Sequence, residues 1–308
     1  MQPIVGFLIP SRFERDSTRN PTYGSKQNMK VVFSKKCLEY SQPGHPESPE
    51  RVRATYEYLK DKFEFVLPSR IDEEDILLVH SESLLESVKT GRFYDADSPS
   101  YPDIFSFAML SATGAVTACD IALKGDLSLS LLRPPGHHAG KNFLGGFCYF
   151  NNVAVAVGRA LQHVDKVAIV DFDCHHGNGT QDIFLGNERV LYVSLHQSPL
   201  YPGTGLASDR NCLNFPVPAG TDELRYMAAF EKAMDEIDKF EPDLVAVSAG
   251  FDTYKHDPLA GLRLDKSTYE KIGQAIAQLS KPTFAVLEGG YSADLPECIY
   301  HFLSGLRR

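Results

Sequence analysis

Paired cysteine spacings are missing from this 308-residue chain: Cys37, Cys119, Cys148, Cys174, Cys212 and Cys298 are scattered, with no CxxC. In a chain this long that pattern points to reduced thiols and a cytoplasmic setting, and it disfavours a zinc site built from cysteine. Blocks of like charge are missing too, and the formal net charge is -9. Neither nucleic acid nor an anionic membrane finds an electrostatic footprint here, while a small or positively charged substrate stays compatible. No apolar run reads as long enough to span a bilayer. The start, MQPIVGFLIP, lacks the basic residues and the cleavage site of a secretory signal. HExxH is absent, which disfavours a zinc protease. Without internal repeats, low-complexity tracts or a Gly/Ser linker, nothing divides residues 29 to 308. Residues 1 to 28 are polar after their first ten and form an extension without an assigned role.

What is present is a series of short β-branched runs bounded by turn residues. They are MKVVF from Met29, LSLSLL in the 128 to 133 region, VAIV (167 to 170), VLYVSL (190 to 195), LVAVS (244 to 248) and TFAVL (283 to 287). Near-continuous apolar strands predict a mostly parallel sheet buried on both faces. Helical spacing marks 152 to 164, 222 to 240 and 267 to 279, with Thr221 or Asp222 and Ser267 as expected N-caps. The expected fold is therefore α/β, a single doubly wound, mostly parallel sheet flanked by helices.

The unusual residues follow the C-terminal ends of these strands, where open α/β sheets place their ligands. LSLSLL leads into RPPGHHAG, VAIV into DFDCHHGNG, LVAVS into AGFD and TFAVL into EGGY. Asp173 and His175, at i and i+2, offer two metal ligands on one side of an extended backbone, and Asp252 is the best-placed third. Three nitrogen or oxygen ligands with one open position suit a catalytic zinc. The alternative, aspartates that cap a helix beside packed histidines, loses ground because three other polar loops stand at equivalent strand ends. His137 and His138 can share the movement of a proton, with Asp171 and Asn178 as their orienting partners. Tyr291, after two glycines, can donate to a developing oxyanion, or else only packs over a strand end.

Taken together these residues resemble the histone deacetylase family, in particular zinc-dependent bacterial and class II-like members of the arginase/deacetylase fold. The resemblance runs from about Met29 to the C-terminus through HPESPERV (45 to 52), RPPGHHAG, GGFCYFNN (145 to 152), DFDCHHGNGTQDIF, SLHQSPLYPGTG (194 to 205), AGFDTYKHDPLAG (249 to 261) and LEGGY. It implies Asp173, His175 and Asp252 as ligands of one zinc, with ferrous iron the alternative metal. It further implies His137 and His138 as the acid/base pair, Tyr291 as oxyanion donor, and Gly146, Phe147 and Tyr201 as walls of an acyl-lysine tunnel. A structural potassium ion is implied as well, held by groups from Asp171, Asp173, His175, Ser194 and Leu195. The implied reaction is hydrolysis of an N-acetyl amide on a protein, a peptide or a small molecule.

Three departures and variations narrow this. Position 178 is Asn, as in class II-like members, so His138 is expected to be less basic than beside an Asp. Leu259 stands where relatives acting on acetylated polyamines tend to carry a glutamate, which favours acyl-lysine over a polyamine. Tyr201 replaces the more usual Phe and adds a hydroxyl. Asp97, Ser100 and Asp103 are candidates for gripping the substrate backbone. An arginase-like binuclear manganese site would need DxHxD where this chain reads DxDxH. A non-catalytic acyl-lysine binding protein is the rival of another class, yet no proposed ligand or catalytic residue is missing.

Overall fold

The structure, a computed structural model, describes residues 28 to 307. The expected extension at 1 to 28 lies outside the described residues except for its last position. In chain order the elements are β1 (Met29–Val32), α1 (Pro49–Leu59), β2 (Glu64–Val66), α2 (Glu73–Leu77), α3 (Glu82–Thr90), α4 (Ile104–Ala122), β3 (Leu127–Ser130), α5 (Asn152–Ala160) and β4 (Val167–Asp171). They continue with α6 (Asn178–Phe184), β5 (Val190–Gln197), β6 (Cys212–Val217), α7 (Glu223–Phe240), β7 (Leu244–Ala249), α8 (Lys266–Gln278), β8 (Thr283–Leu287) and α9 (Leu295–Leu306). One eight-stranded sheet results, in the order β2-β1-β3-β8-β7-β4-β5-β6. Every neighbouring pair is parallel, so the doubly wound α/β expectation is met.

Side chains alternate between two apolar layers, as a pleated strand requires. On β4, Ala168 and Val170 join the layer under α1, α7, α8 and α9, while Val167 and Ile169 join the layer under α2 to α6. With both faces covered, most positions of the central strands are apolar, which is why these strands read as near-continuous runs. Burying each such aliphatic side chain contributes roughly 1.5–3 kcal/mol. The six cysteines are buried and unpaired.

Several local expectations are corrected. Asp222 caps α7, accepting from Arg225 N at 3.0 Å, but Ser267 lies inside α8, whose N-cap is Asp265 in a reciprocal box with Thr268. Helix α5 stops at Ala160 and β3 at Ser130. Strand β6 escaped notice because Pro216 interrupts its sequence; as the edge strand it tolerates a residue without an N–H. Helix α4 is long and apolar enough to cross a bilayer by composition, contrary to the sequence reading, and 67% of that stretch is buried inside the fold.

For function, the decisive feature is strand order. β3, β8, β7 and β4 are four consecutive strands, so their C-terminal loops, the four singled out by sequence, emerge side by side on one edge of the sheet.

Candidate active site

Strand β4 ends at Asp171, so Asp173 and His175 lie in the turn beyond it and not on an extended backbone as expected. Their convergence comes from loop hydrogen bonds. The His175 N–H donates to Asp173 Oδ1 at 2.9 Å, the Cys174 N–H to Asp252 Oδ1 at 2.7 Å, and the Gly289 N–H to Asp173 Oδ2 at 2.8 Å. His175 Nδ1 thereby stands 3.1 Å from Asp173 Oδ1 and 2.9 Å from Asp252 Oδ2. One ligand atom from each of the three residues lies within 4.8 Å of the others. A Cβ on Gly250 would come within 2.1 Å of Asp173 Oδ2, so only glycine lets the loops close this far.

Two carboxylates meet one imidazole here, all three almost out of water. Burial and the Asp173 charge push Asp252 up to about 7. Burial also works against Asp173, but His137 and His175 outweigh it and hold that carboxyl well below its usual range. Such a concentration of buried negative charge calls for a cation, and one nitrogen with two carboxylate oxygens is a donor set that zinc accepts.

His137 and His138 follow β3, with ring centroids 4.0 Å apart. His137 Nδ1 lies 3.1 Å from Asp171 Oδ2, which also accepts from the Tyr192 hydroxyl at 2.9 Å. His138 Nδ1 donates to Asn178 Oδ1 at 2.8 Å, leaving Nε2 to accept a proton. Their environments push them apart. Burial opposes the charge on His137, yet Asp173 and Asp171 prevail and raise it to about 10. Burial, then His137 and His175, drive His138 well below 6.5.

A cavity of about 230 Å³ reaches this cluster, lined by Asp97, His137, His138, Gly146, Phe147, Asp173, His175, Leu200, Tyr201, Leu259 and Tyr291 among others. Gly146 and Phe147 both sit at positive φ, 56° and 70°. A Cβ on Gly146 would meet His138 Cδ2 at 2.5 Å. The Phe147 N–H is held by Ser98 Oγ at 2.9 Å, which fixes this strained wall. The Tyr201 ring stands edge-on to His138 at 5.0 Å, and burial with nearby Cys148 and Asp95 pushes its phenol up to about 12. Of the rim candidates only Asp97 lines the cavity; Ser100 and Asp103 border a separate groove beside α3 and α4. Ser194 pairs with Asp171 across β4 and β5, followed by buried Leu195, and its hydroxyl lies 2.9 Å from His196 Nδ1.

Sequence reasoning missed the groups that hold this site. Glu288 Oε2 accepts from the Gly136 and His137 N–H groups at 2.7 and 3.1 Å. Arg51 donates to the carbonyls of Gly290 at 2.6 Å and Glu288 at 2.7 Å, and its guanidinium lies 4.6 Å from the Tyr291 ring centroid. Asp257 accepts from the N–H groups of Leu259 and Tyr291. All stand inside the motifs quoted above, but nothing in their immediate neighbours marks them as buried supports.

Comparison with known proteins agrees with this architecture. The family model described as "Histone deacetylase domain" matches residues 45–306. A "Probable deacetylase" of Archaeoglobus fulgidus is 36% identical over 293 residues, covering 86% of this chain and 81% of that protein. The crystal structure of the HDA15 HD domain superposes with a TM-score of 0.84 at 31% identity, covering 92% of this chain and 89% of the other. An acetylpolyamine aminohydrolase from Burkholderia pseudomallei gives 0.85 at 27% identity, covering 90% and 98%. With the motifs, the sheet order and these likenesses all in accord, the chain belongs to the histone deacetylase family.

Proposed function

We propose that the protein is a zinc-dependent deacetylase that removes acetyl or other acyl groups from lysine side chains of proteins or peptides. The observation that carries this is the meeting of Asp173, His175 and Asp252 within 4.8 Å beside a cavity that also presents His137, His138 and Tyr291. Those three residues would hold the zinc, with ferrous iron the alternative occupant. A zinc ion there supplies Lewis acidity toward the acyl carbonyl and toward a water molecule.

The chain's own groups do the rest. His138, kept neutral with Nε2 available, accepts the proton of the attacking water and returns it to the departing amine. His137, tied to Asp171, remains charged beside it and favours negative charge developing in the cavity. Tyr291 donates its phenolic proton in a hydrogen bond to the oxyanion. Phe147 and Tyr201 flank the aliphatic stem of the lysine, excluding water from it. Groups from Asp171, Asp173, His175, Ser194 and Leu195 would hold a structural potassium ion. Unpaired thiols support a cytoplasmic setting.

Leu259 at the mouth, 36% exposed, supports acyl-lysine over a polyamine, since it gives a distal ammonium no counter-charge. Asp97, an acidic residue lining the same cavity, and the likeness to an acetylpolyamine aminohydrolase favour the second reading, a small acyl-amide substrate. The test is kcat/KM of zinc-loaded enzyme on an acetyl-lysine peptide and on acetylspermidine. The peptide is expected to be preferred, and Leu259→Glu to move the ratio toward the polyamine by roughly two- to fivefold, the worth of one exposed charge contact of about 0.5–1 kcal/mol. Preference of the wild type for acetylspermidine contradicts the lysine reading.

A further inference from the structure

The peptide unit joining Gly290 to Tyr291 is gripped from both sides. Its carbonyl accepts from Arg51 Nε at 2.6 Å, and its N–H donates to Asp257 Oδ2 at 2.6 Å. Arg51 is 7% exposed and Asp257 6%, so both charge-assisted bonds lie out of bulk water, where they are strong. The second oxygen of Asp257 is engaged too, accepting the Leu259 N–H at 2.9 Å. One carboxylate therefore bonds the backbone at the mouth of the cavity and the backbone of the tyrosine farther in. Gly290 has φ +114°, a freedom that leaves the direction of Tyr291 to whatever holds this peptide.

We propose that Asp257 is a positioning residue that couples the mouth to the oxyanion donor: it clamps the Gly290–Tyr291 peptide against Arg51 while fixing Leu259. The consequence for rate rests on the deacetylase reading above; the clamp itself does not. Aspartate is required because both oxygens must accept. Asparagine has the same shape, but its NH2 turns donors toward a backbone donor. Misplacing a catalytic group by about 1 Å can cost on the order of 100-fold, so a group that touches no substrate can still govern kcat.

The test compares wild type, Asp257→Asn, Tyr291→Phe and the double variant on an acetyl-lysine peptide, with amide hydrogen exchange read at Leu259 and Tyr291. Asp257→Asn is expected to lower kcat by about 10- to 100-fold and to raise KM. The double variant is expected to lose no more kcat than Tyr291→Phe alone while keeping the raised KM, because Asp257 acts on kcat through Tyr291. Asp257→Asn, and not Tyr291→Phe, speeds exchange of both amides together. Multiplicative kcat losses, unchanged kinetics in Asp257→Asn, or amides that respond separately would overturn the clamp. A wild type that hydrolyses no acyl amide overturns the deacetylase reading instead, and the exchange measurement then decides the clamp alone.

Discussion

His80 has both ring nitrogens committed. Nδ1 donates to the Gly140 carbonyl at 2.8 Å and Nε2 accepts the Asn151 N–H at 2.8 Å, so the ring ties the loop after the histidine pair to the N-cap of α5. A second proton would set an N–H against an N–H. Burial accordingly lowers its pKa from 6.5 to about 4. The unfolded chain binds this proton first as pH falls, so the stabilisation is fully present above about 6.5 and is lost between there and about 4. Urea unfolding from pH 7 to 4.5 is expected to show this group weakening the fold by up to about 1.4 kcal/mol per pH unit. His80→Gln, which can still donate and accept, should flatten that dependence; an equal slope in both proteins would show that His80 does not carry it. Single residues such as Asp173, His137 and Tyr291 were legible in the sequence because their chemistry is unusual beside strand ends. His80 was not, since a lone histidine advertises neither its partners nor its tautomer.

At the scale of elements, Glu47 joins the segment before α1 to the loop after β3. It accepts from Arg133 Nε and Nη2 at 2.7 Å each, from Arg51 Nη1 at 3.2 Å and from the Tyr40 hydroxyl at 3.0 Å. Arg133 is wholly buried and also donates to the carbonyls of Cys37 and Tyr40. Burial opposes the Glu47 charge, but Arg133 and Arg51 keep its carboxyl below the usual range. Glu47→Gln leaves buried guanidinium charge uncompensated and is expected to cost roughly 3–5 kcal/mol, read as a fall in Tm at constant pH. A loss under about 1 kcal/mol, the worth of an exposed pair, would mean the network does not carry the junction. The central strands were legible because burial on both faces writes itself as apolar runs. The supports were not, because Arg51 and Gly290 stand 239 positions apart and neither periodicity nor turn chemistry registers such a pairing. Strand β6 hid behind Pro216, and α4 is so thoroughly buried that it lacks the polar face by which a helix is recognised.

Across the whole molecule, a wholly parallel sheet with β3, β8, β7 and β4 adjacent gathers four loops that are far apart in sequence. One ligand atom from each of Asp173, His175 and Asp252 then lies within 4.8 Å of the others, and burial beside Asp173 pushes the Asp252 carboxyl up to about 7. A divalent cation would relieve the crowding of the two carboxylates, and the neighbouring neutral histidine and phenol give it a use. Titrating chelator-stripped protein with zinc while following hydrolysis of an acetylated substrate tests this most directly. Activity absent at the start and rising linearly to a break at one zinc per chain is the expected result. Full activity without metal, a break at two equivalents, or tight zinc binding with no hydrolysis would contradict it.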